Sequence, residues 1–220
     1  MAYQMKLRLS ICLVILALLA GADAPVSGQK QSPDPPSADP PKVTYRGGLV
    51  TPPLPKPNFT LTDTSGAPFD FWRETEGYVT LLFFGYARCP DQCPLHMANI
   101  ATALKKMPRN LRDQVKLVFV TTDPVRDTPK VLRSWLDLFD NRFIGLTGSE
   151  AAIQTVQKAA GVPPARKAAL GAENYAVGHA NFVLAYTKDN LSHLIYPGGV
   201  TQQDWAHDLP ELVKENWSRK

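Results

Sequence analysis

Cys89 and Cys93, separated by three residues, lie in the run Gly85-Tyr86-Ala87-Arg88-Cys89-Pro90-Asp91-Gln92-Cys93-Pro94. A cysteine at a turn leading into a helix meets unpaired backbone amides and a positive helix end, and both favour thiolate over thiol. Thiolates held there either exchange disulfides or bind a soft metal. Three intervening residues, rather than the two of a Cys-x-x-Cys redox pair, let both sulfurs point at one acceptor. That spacing suits chelation, and a disulfide remains sterically feasible.

Two thiolates alone leave a metal exposed, so a third donor is sought among four histidines: His96, His179, His193 and His207. His179 closes an irregular stretch as Tyr175-Ala176-Val177-Gly178-His179-Ala180, just before a strand. A lone loop histidine ordinarily satisfies its own loop's backbone groups. Its expected place across the sheet end from two thiols favours ligation instead. Thiolates with an imidazole select Cu(I) or Zn(II). Structural zinc wants a closed four-ligand shell, and no fourth ligand is evident, so copper is favoured. Met97 falls on the apolar stripe of the following helix and is assigned to the core. His96 is expected to point away from that stripe, near the thiols, as an exposed bystander, an auxiliary ligand being the alternative. His193 and His207 are expected at the surface.

The elements that must position these groups are legible on either side. Tyr78-Val79-Thr80-Leu81-Leu82-Phe83-Phe84 is long and apolar enough for a strand buried on both faces. Cys93 then flanks a helix expected to begin at Pro94, with Met97, Ile100, Ala101, Leu104 and Met107 at helical spacing. Val115–Thr121 reads as a second strand, parallel to the first after a right-handed crossover. Thr128 caps a helix opened by Pro129, with Val131, Leu132, Trp135, Leu138 and Phe139 as its apolar face. Phe143–Leu146 is a short strand. Thr147 with Glu150 makes a capping-box pattern for the next helix. Residues 162–178 read as irregular, then Asn181–Thr187 and Leu191–Tyr196 form a hairpin, and Thr201 caps a final helix through Trp205, Leu209, Leu212 and Val213. Two short strands, Phe59–Thr62 and Phe69–Phe71, precede all of this. A parallel βαβ start joined to an antiparallel hairpin and a closing helix is the thioredoxin-like α/β arrangement, here with an added N-terminal β-hairpin.

At the N-terminus, Lys6 and Arg8 precede an apolar stretch from Ile11 to Ala22, which fits a secretory signal. Ala22-Asp23-Ala24 offers small residues for cleavage, but Pro25 follows directly, so residues 1–24 read as a signal peptide or a retained anchor. Residues 25–57 carry a dense run of prolines and read as a spacer, with the folded domain spanning 58–220. The net charge is +4, with basic and acidic residues mixed throughout, which gives no reason to invoke nucleic acid. Of three cysteines, Cys12 lies in the apolar leader and acts as a small hydrophobe. One remaining pair is a site, not a disulfide scaffold.

Four motifs in order, Gly85–Pro94, Asp123-Pro124-Val125-Arg126-Asp127-Thr128-Pro129, Phe143-Ile144-Gly145-Leu146-Thr147-Gly148 and Val177-Gly178-His179, resemble those of the SCO/SenC family. The resemblance runs from about Asn58 to the C-terminus. It implies a thioredoxin-like domain that binds a copper ion, as Cu(I) or Cu(II), and helps assemble the binuclear copper centre of cytochrome c oxidase. By position it makes Cys89, Cys93 and His179 the copper ligands, and the Asp123–Thr128 loop a support for the site. The implied partners are the copper-bearing oxidase subunit and other copper chaperones. The expected form is a membrane-proximal monomer in the periplasm, ahead of the mitochondrial intermembrane space, because the leader lacks the arginine and serine richness of a transit peptide. Two departures stand out: Ala87 where the family often has threonine, and Gly178 where it often has aspartate. The competing reading is a thiol–disulfide oxidoreductase acting through Cys89 and Cys93. Peroxide reduction on the same fold has little beyond the thiols in its favour.

Overall fold

The apolar run before the cysteines forms the middle of a sheet. In a computed structural model that describes residues 44–170 and 175–217, the elements are β1 (Gly48–Pro55), β2 (Thr60–Asp63), β3 (Pro68–Asp70), α1 (Phe71–Glu74), β4 (Val79–Gly85), α2 (Gln92–Lys106), α3 (Arg109–Arg112) and β5 (Val115–Thr121). They continue with α4 (Pro129–Leu136), β6 (Ile144–Thr147), α5 (Glu150–Ala159), β7 (Arg166–Ala169), β8 (Tyr175–Gly178), β9 (Phe182–Tyr186), β10 (Leu191–Pro197) and α6 (Gln202–Lys214). Eight strands share one sheet in the order β1-β10-β9-β4-β5-β6-β2-β3, while β7 and β8 pair only with each other. β4 and β5 run parallel from Val79 opposite Val115 to Gly85 opposite Thr121, so their carboxyl ends finish level.

Every residue of β4 is buried, and the period of two sends its side chains to two different cores. Leu81 and Phe83 pack with Met97 and Ile100 of α2, Leu132 of α4, and Trp205 and Leu209 of α6. Leu82 and Phe84 pack on the other face with Phe71, Ile153, Val156 and Tyr186. This is the thioredoxin-like arrangement expected from the pattern, including the N-terminal hairpin formed by β2 and β3.

Several local expectations are revised. The stretch read as spacer up to residue 57 contributes β1, paired antiparallel with β10 at the sheet edge. Prolines are tolerated on an edge strand because nothing lies beyond it to receive an N–H. The pairing breaks register between Leu49 and Leu54, where Pro52 and Pro53 sit. Buried Asp208 ties this segment down, accepting from the Arg46 and Gly47 amides at 2.8 and 3.0 Å and from the Tyr196 hydroxyl at 2.9 Å. Residues 1–43, which include the leader, lie outside the described residues. Helix α2 begins at Gln92 rather than Pro94, which puts Cys93 inside its first turn. Helix α5 is capped by Ser149, whose hydroxyl accepts from the Ala152 amide, and Thr147 remains in β6. On α4, Leu132 and Leu136 face the core while Val131 is exposed, and the helix ends before Leu138, which is exposed too, so the buried arc is narrower and shorter than the apolar pattern implied. The stretch read as irregular contains the separate β7–β8 hairpin.

Candidate metal centre

Cys89 leaves the end of β4 in a turn closed by its amide donating to the Tyr86 carbonyl at 3.1 Å. Asp91 caps α2 without a side-chain bond, so the first amides of the helix remain available. The amides of Asp91 and Cys93, at the start of that helix, favour the charged form of the Cys89 sulfur. Cys93 is fully buried and Cys89 half-buried, and the two are free thiols. Their protons divide unequally. The neighbouring Cys93 thiol, with the two amides, holds the Cys89 pKa down to about 3, against the opposing effect of burial. The contact with Cys89, together with burial, pushes Cys93 well above the ordinary thiol range. The two shifts run in opposite directions and favour the charge on Cys89 and the proton on Cys93.

His179 follows the last residue of β8. Its Nδ1 lies 3.0 Å from the Ala180 carbonyl, which can only accept, so Nδ1 carries the proton and the Nε2 lone pair is free. Nε2 stands 3.4 Å from the Cys93 sulfur. The three donor atoms of Cys89, Cys93 and His179 lie within 4.8 Å of one another. Metal–sulfur bonds of about 2.3 Å and metal–nitrogen bonds of about 2.0 Å place donors roughly 3.5–4 Å apart. The set fits a single ion after a small contraction. Among the described residues no other histidine, cysteine or carboxylate joins it, so the donor set has three members and includes two sulfurs, a composition that favours Cu(I).

The surroundings explain how the set is held. Gly85 ends β4, and a Cβ there would sit 2.7 Å from the Cys93 sulfur and 3.0 Å from the Phe119 ring, so only glycine lets that sulfur approach. This requirement was not visible in sequence. Buried Asp127 fixes the turn, accepting from the Ala87 amide at 2.9 Å and the Thr121 hydroxyl at 2.7 Å. The Thr122 amide donates to the Gly85 carbonyl at 2.7 Å. Phe83 and Tyr86 wall the imidazole edge-on at 6.1 and 5.6 Å. The expected acidic neighbour at position 178 is absent, and the Ala180 carbonyl does its work of fixing the tautomer. Pro163, Pro164, Arg166, Gly178 and Ala180 form with His179 an open recess of about 510 Å³.

His96 is not the exposed bystander expected. It is 2% exposed, packs on Phe83 at 5.1 Å, and neither ring nitrogen has a hydrogen-bond partner. Burial lowers its pKa. Counting from Cys93 instead of Met97 places it in the series 93, 96, 97, 100, 101, 104, all of which are buried. Met97 is core, as expected. His193 stacks on Trp217 at 4.2 Å and bonds Asp189, so it is more enclosed than a surface group, whereas His207 is partly exposed beside Asp208.

Fold and site together define a thioredoxin-like domain whose cysteine turn is faced by an imidazole, a mixed thiolate–nitrogen centre. Residues 51–214 match the SCO1/SenC family model, and the chain belongs to that family. A putative copper-binding protein of Stutzerimonas stutzeri is 39% identical over 108 residues, covering 49% of this chain and 52% of that protein. The chain spans about half to just under two-thirds of the length of the first curated relatives it matches. Apo Sco1 from Thermus thermophilus superposes with a TM-score of 0.69 at 30% identity, covering 79% of this chain and 99% of that one. ScoI of Bradyrhizobium japonicum, solved with copper bound, gives 0.64 at 30% identity, covering 72% and 99%.

Proposed function

We propose that the protein is a copper metallochaperone that holds its cargo through Cys89, Cys93 and His179 and delivers it to the binuclear copper site of cytochrome c oxidase during assembly. The observation that carries this reading is the convergence of two sulfurs and a free Nε2 within 4.8 Å. Uptake begins at half-exposed Cys89, already a thiolate, and displaces one proton from Cys93 as the second sulfur bonds. Release is the reverse by ligand exchange: a partner thiolate bonds copper as Cys89 lets go, with no change of oxidation state. The recess beside His179 gives a partner loop room to approach. The partners in this reading are the copper-bearing oxidase subunit and a chaperone that loads the site. The protein works as an exported, membrane-proximal monomer in the periplasm.

The inequality of the two thiols also supports a second role, reduction of a partner's cysteines before metallation, with Cys89 attacking and Cys93 resolving. His179→Ala separates the two. Copper retained after desalting in reducing buffer should fall by more than the roughly 10–100-fold that loss of an outer partner costs, while disulfide exchange persists. Unchanged copper content in that variant would remove His179 from the ligand set.

A further inference from the structure

The geometry points to Arg126 as the positioning residue that clasps the His179-bearing hairpin to the end of the sheet. This rests on the copper-site reading above. The β7–β8 hairpin makes no strand pairing with the eight-stranded sheet, and β7 is exposed along its whole length. The ligand at the end of β8 is held on one side by the run into β9, where the Gly198 amide donates to the Asn181 carbonyl at 2.9 Å, and on the other by the hairpin's mounting. One mount lies at the root, where fully buried Gln157 accepts from the Ala165 amide at 3.1 Å and donates to the Pro163 carbonyl at 3.4 Å.

Another mount, at the far end of the hairpin, is Arg126. Its guanidinium lies 3.8 Å over the ring of Tyr175, the first residue of β8, and Nη1 donates to the Tyr175 carbonyl at 3.1 Å. The Tyr175 hydroxyl donates to Asp123 at 2.7 Å, and Arg126 donates its Nε to the same fully buried carboxylate. Asp123 is itself fixed to β5, its amide donating to the Thr121 hydroxyl at 3.0 Å. Arg126 also lies 5.9 Å from the Tyr86 ring, which in turn abuts His179. One planar cation thus touches the strand that carries the imidazole and the ring that walls it. Lysine has neither the plane to stack on Tyr175 nor the fork to reach a carbonyl and a carboxylate together. Lys167 lies 5.0 Å from the same ring, but its charge is engaged by Glu150.

The test compares the full chain with Arg126→Lys and Tyr175→Leu. The second variant removes the platform and leaves the Arg126–Asp123 pair intact, which avoids stranding a buried carboxylate. Each is loaded with Cu(II) and read by the nitrogen hyperfine pattern of its paramagnetic resonance spectrum, then reduced and tested for copper retention. Metal-free thermal unfolding is followed alongside. We expect both variants to show weakened nitrogen coupling and to lose about tenfold in retention, with unfolding within a few degrees of wild type. Placing either change on a His179→Ala background should cost nothing more, because the two act through one ligand. Unaltered nitrogen coupling in both variants would overturn the assignment, as would additive losses on the His179→Ala background. A wild-type protein lacking nitrogen coupling would instead contradict the copper-site reading itself.

Discussion

The cysteine turn and the β7–β8 hairpin supply one site by opposite means. The turn grows from the most enclosed strand of the sheet, is pinned by Asp127 and Thr122, and leads into a helix whose inner face is wholly core. The hairpin stands apart from the sheet and is held by a buried amide at its root, a cation at its tip, the Lys167–Glu150 pair along β7 and buried Val177 on β8. Sulfur positions are thus set by packing, which is stiff, and the nitrogen position by a few directional contacts, which are not. In the proposed carrier role this division is useful, since one ligand can yield without disturbing the core.

The largest effects should come from the stiff side. Serine at either Cys89 or Cys93 should abolish copper retention and disulfide exchange together, and full retention in either variant would rule out paired thiolates. Next, Gly85→Ala forces a methyl group against the Cys93 sulfur at 2.7 Å. Overpacking of this kind costs about 1–3 kcal/mol; thermal unfolding should register it, and metal uptake should weaken because the sulfur is displaced. Unchanged copper retention in a destabilised protein would mean that the turn adapts more readily than its packing indicates.

A smaller effect concerns pH. A thiol whose pKa is depressed to about 3 carries its charge above that pH and loses it as pH falls through it. Ultraviolet thiolate absorbance of the reduced protein should therefore persist well into acid, and iodoacetamide should modify Cys89 at a rate nearly independent of pH between about 5 and 7. Because the Cys93 thiol is the largest contributor, Cys93→Ala should raise the Cys89 pKa more than His179→Ala does. The reverse order would shift the origin of the thiolate to the hairpin side. The smallest effect is expected of Gly178→Asp, where a Cβ meets only the Arg166 carbonyl at 3.7 Å. The domain should melt as wild type, and the added carboxylate should modestly favour bound Cu(II) over Cu(I), read as a lowered reduction potential. An unchanged potential would show that the Ala180 carbonyl already supplies what the aspartate would.

The same contrast governs what could be read from the chain. Strand β4, the cysteine turn and α2 were legible because continuous apolar burial and helical spacing leave strong patterns. The hairpin was not. Arg166-Lys167-Ala168-Ala169 alternates nothing, being exposed on both sides, and Pro163 and Pro164 signal only a loop. Strand β1 was hidden by prolines that an edge tolerates. Thr147 was read as the cap of α5, but its pairing with Thr62 keeps it in the sheet and leaves the cap to Ser149, a tertiary contact that no local pattern shows. His179 could be chosen from sequence because its fold position was inferred, but its mounting by Arg126 depends on a contact 49 residues away that no periodicity encodes.

The most direct test is X-ray absorption at the copper edge on the reduced, copper-loaded protein. Two sulfur neighbours and one nitrogen neighbour on a single ion per chain are expected. A copper ion bound by sulfur alone, or a reduced protein that takes up none, would contradict the assignment of Cys89, Cys93 and His179 as one centre.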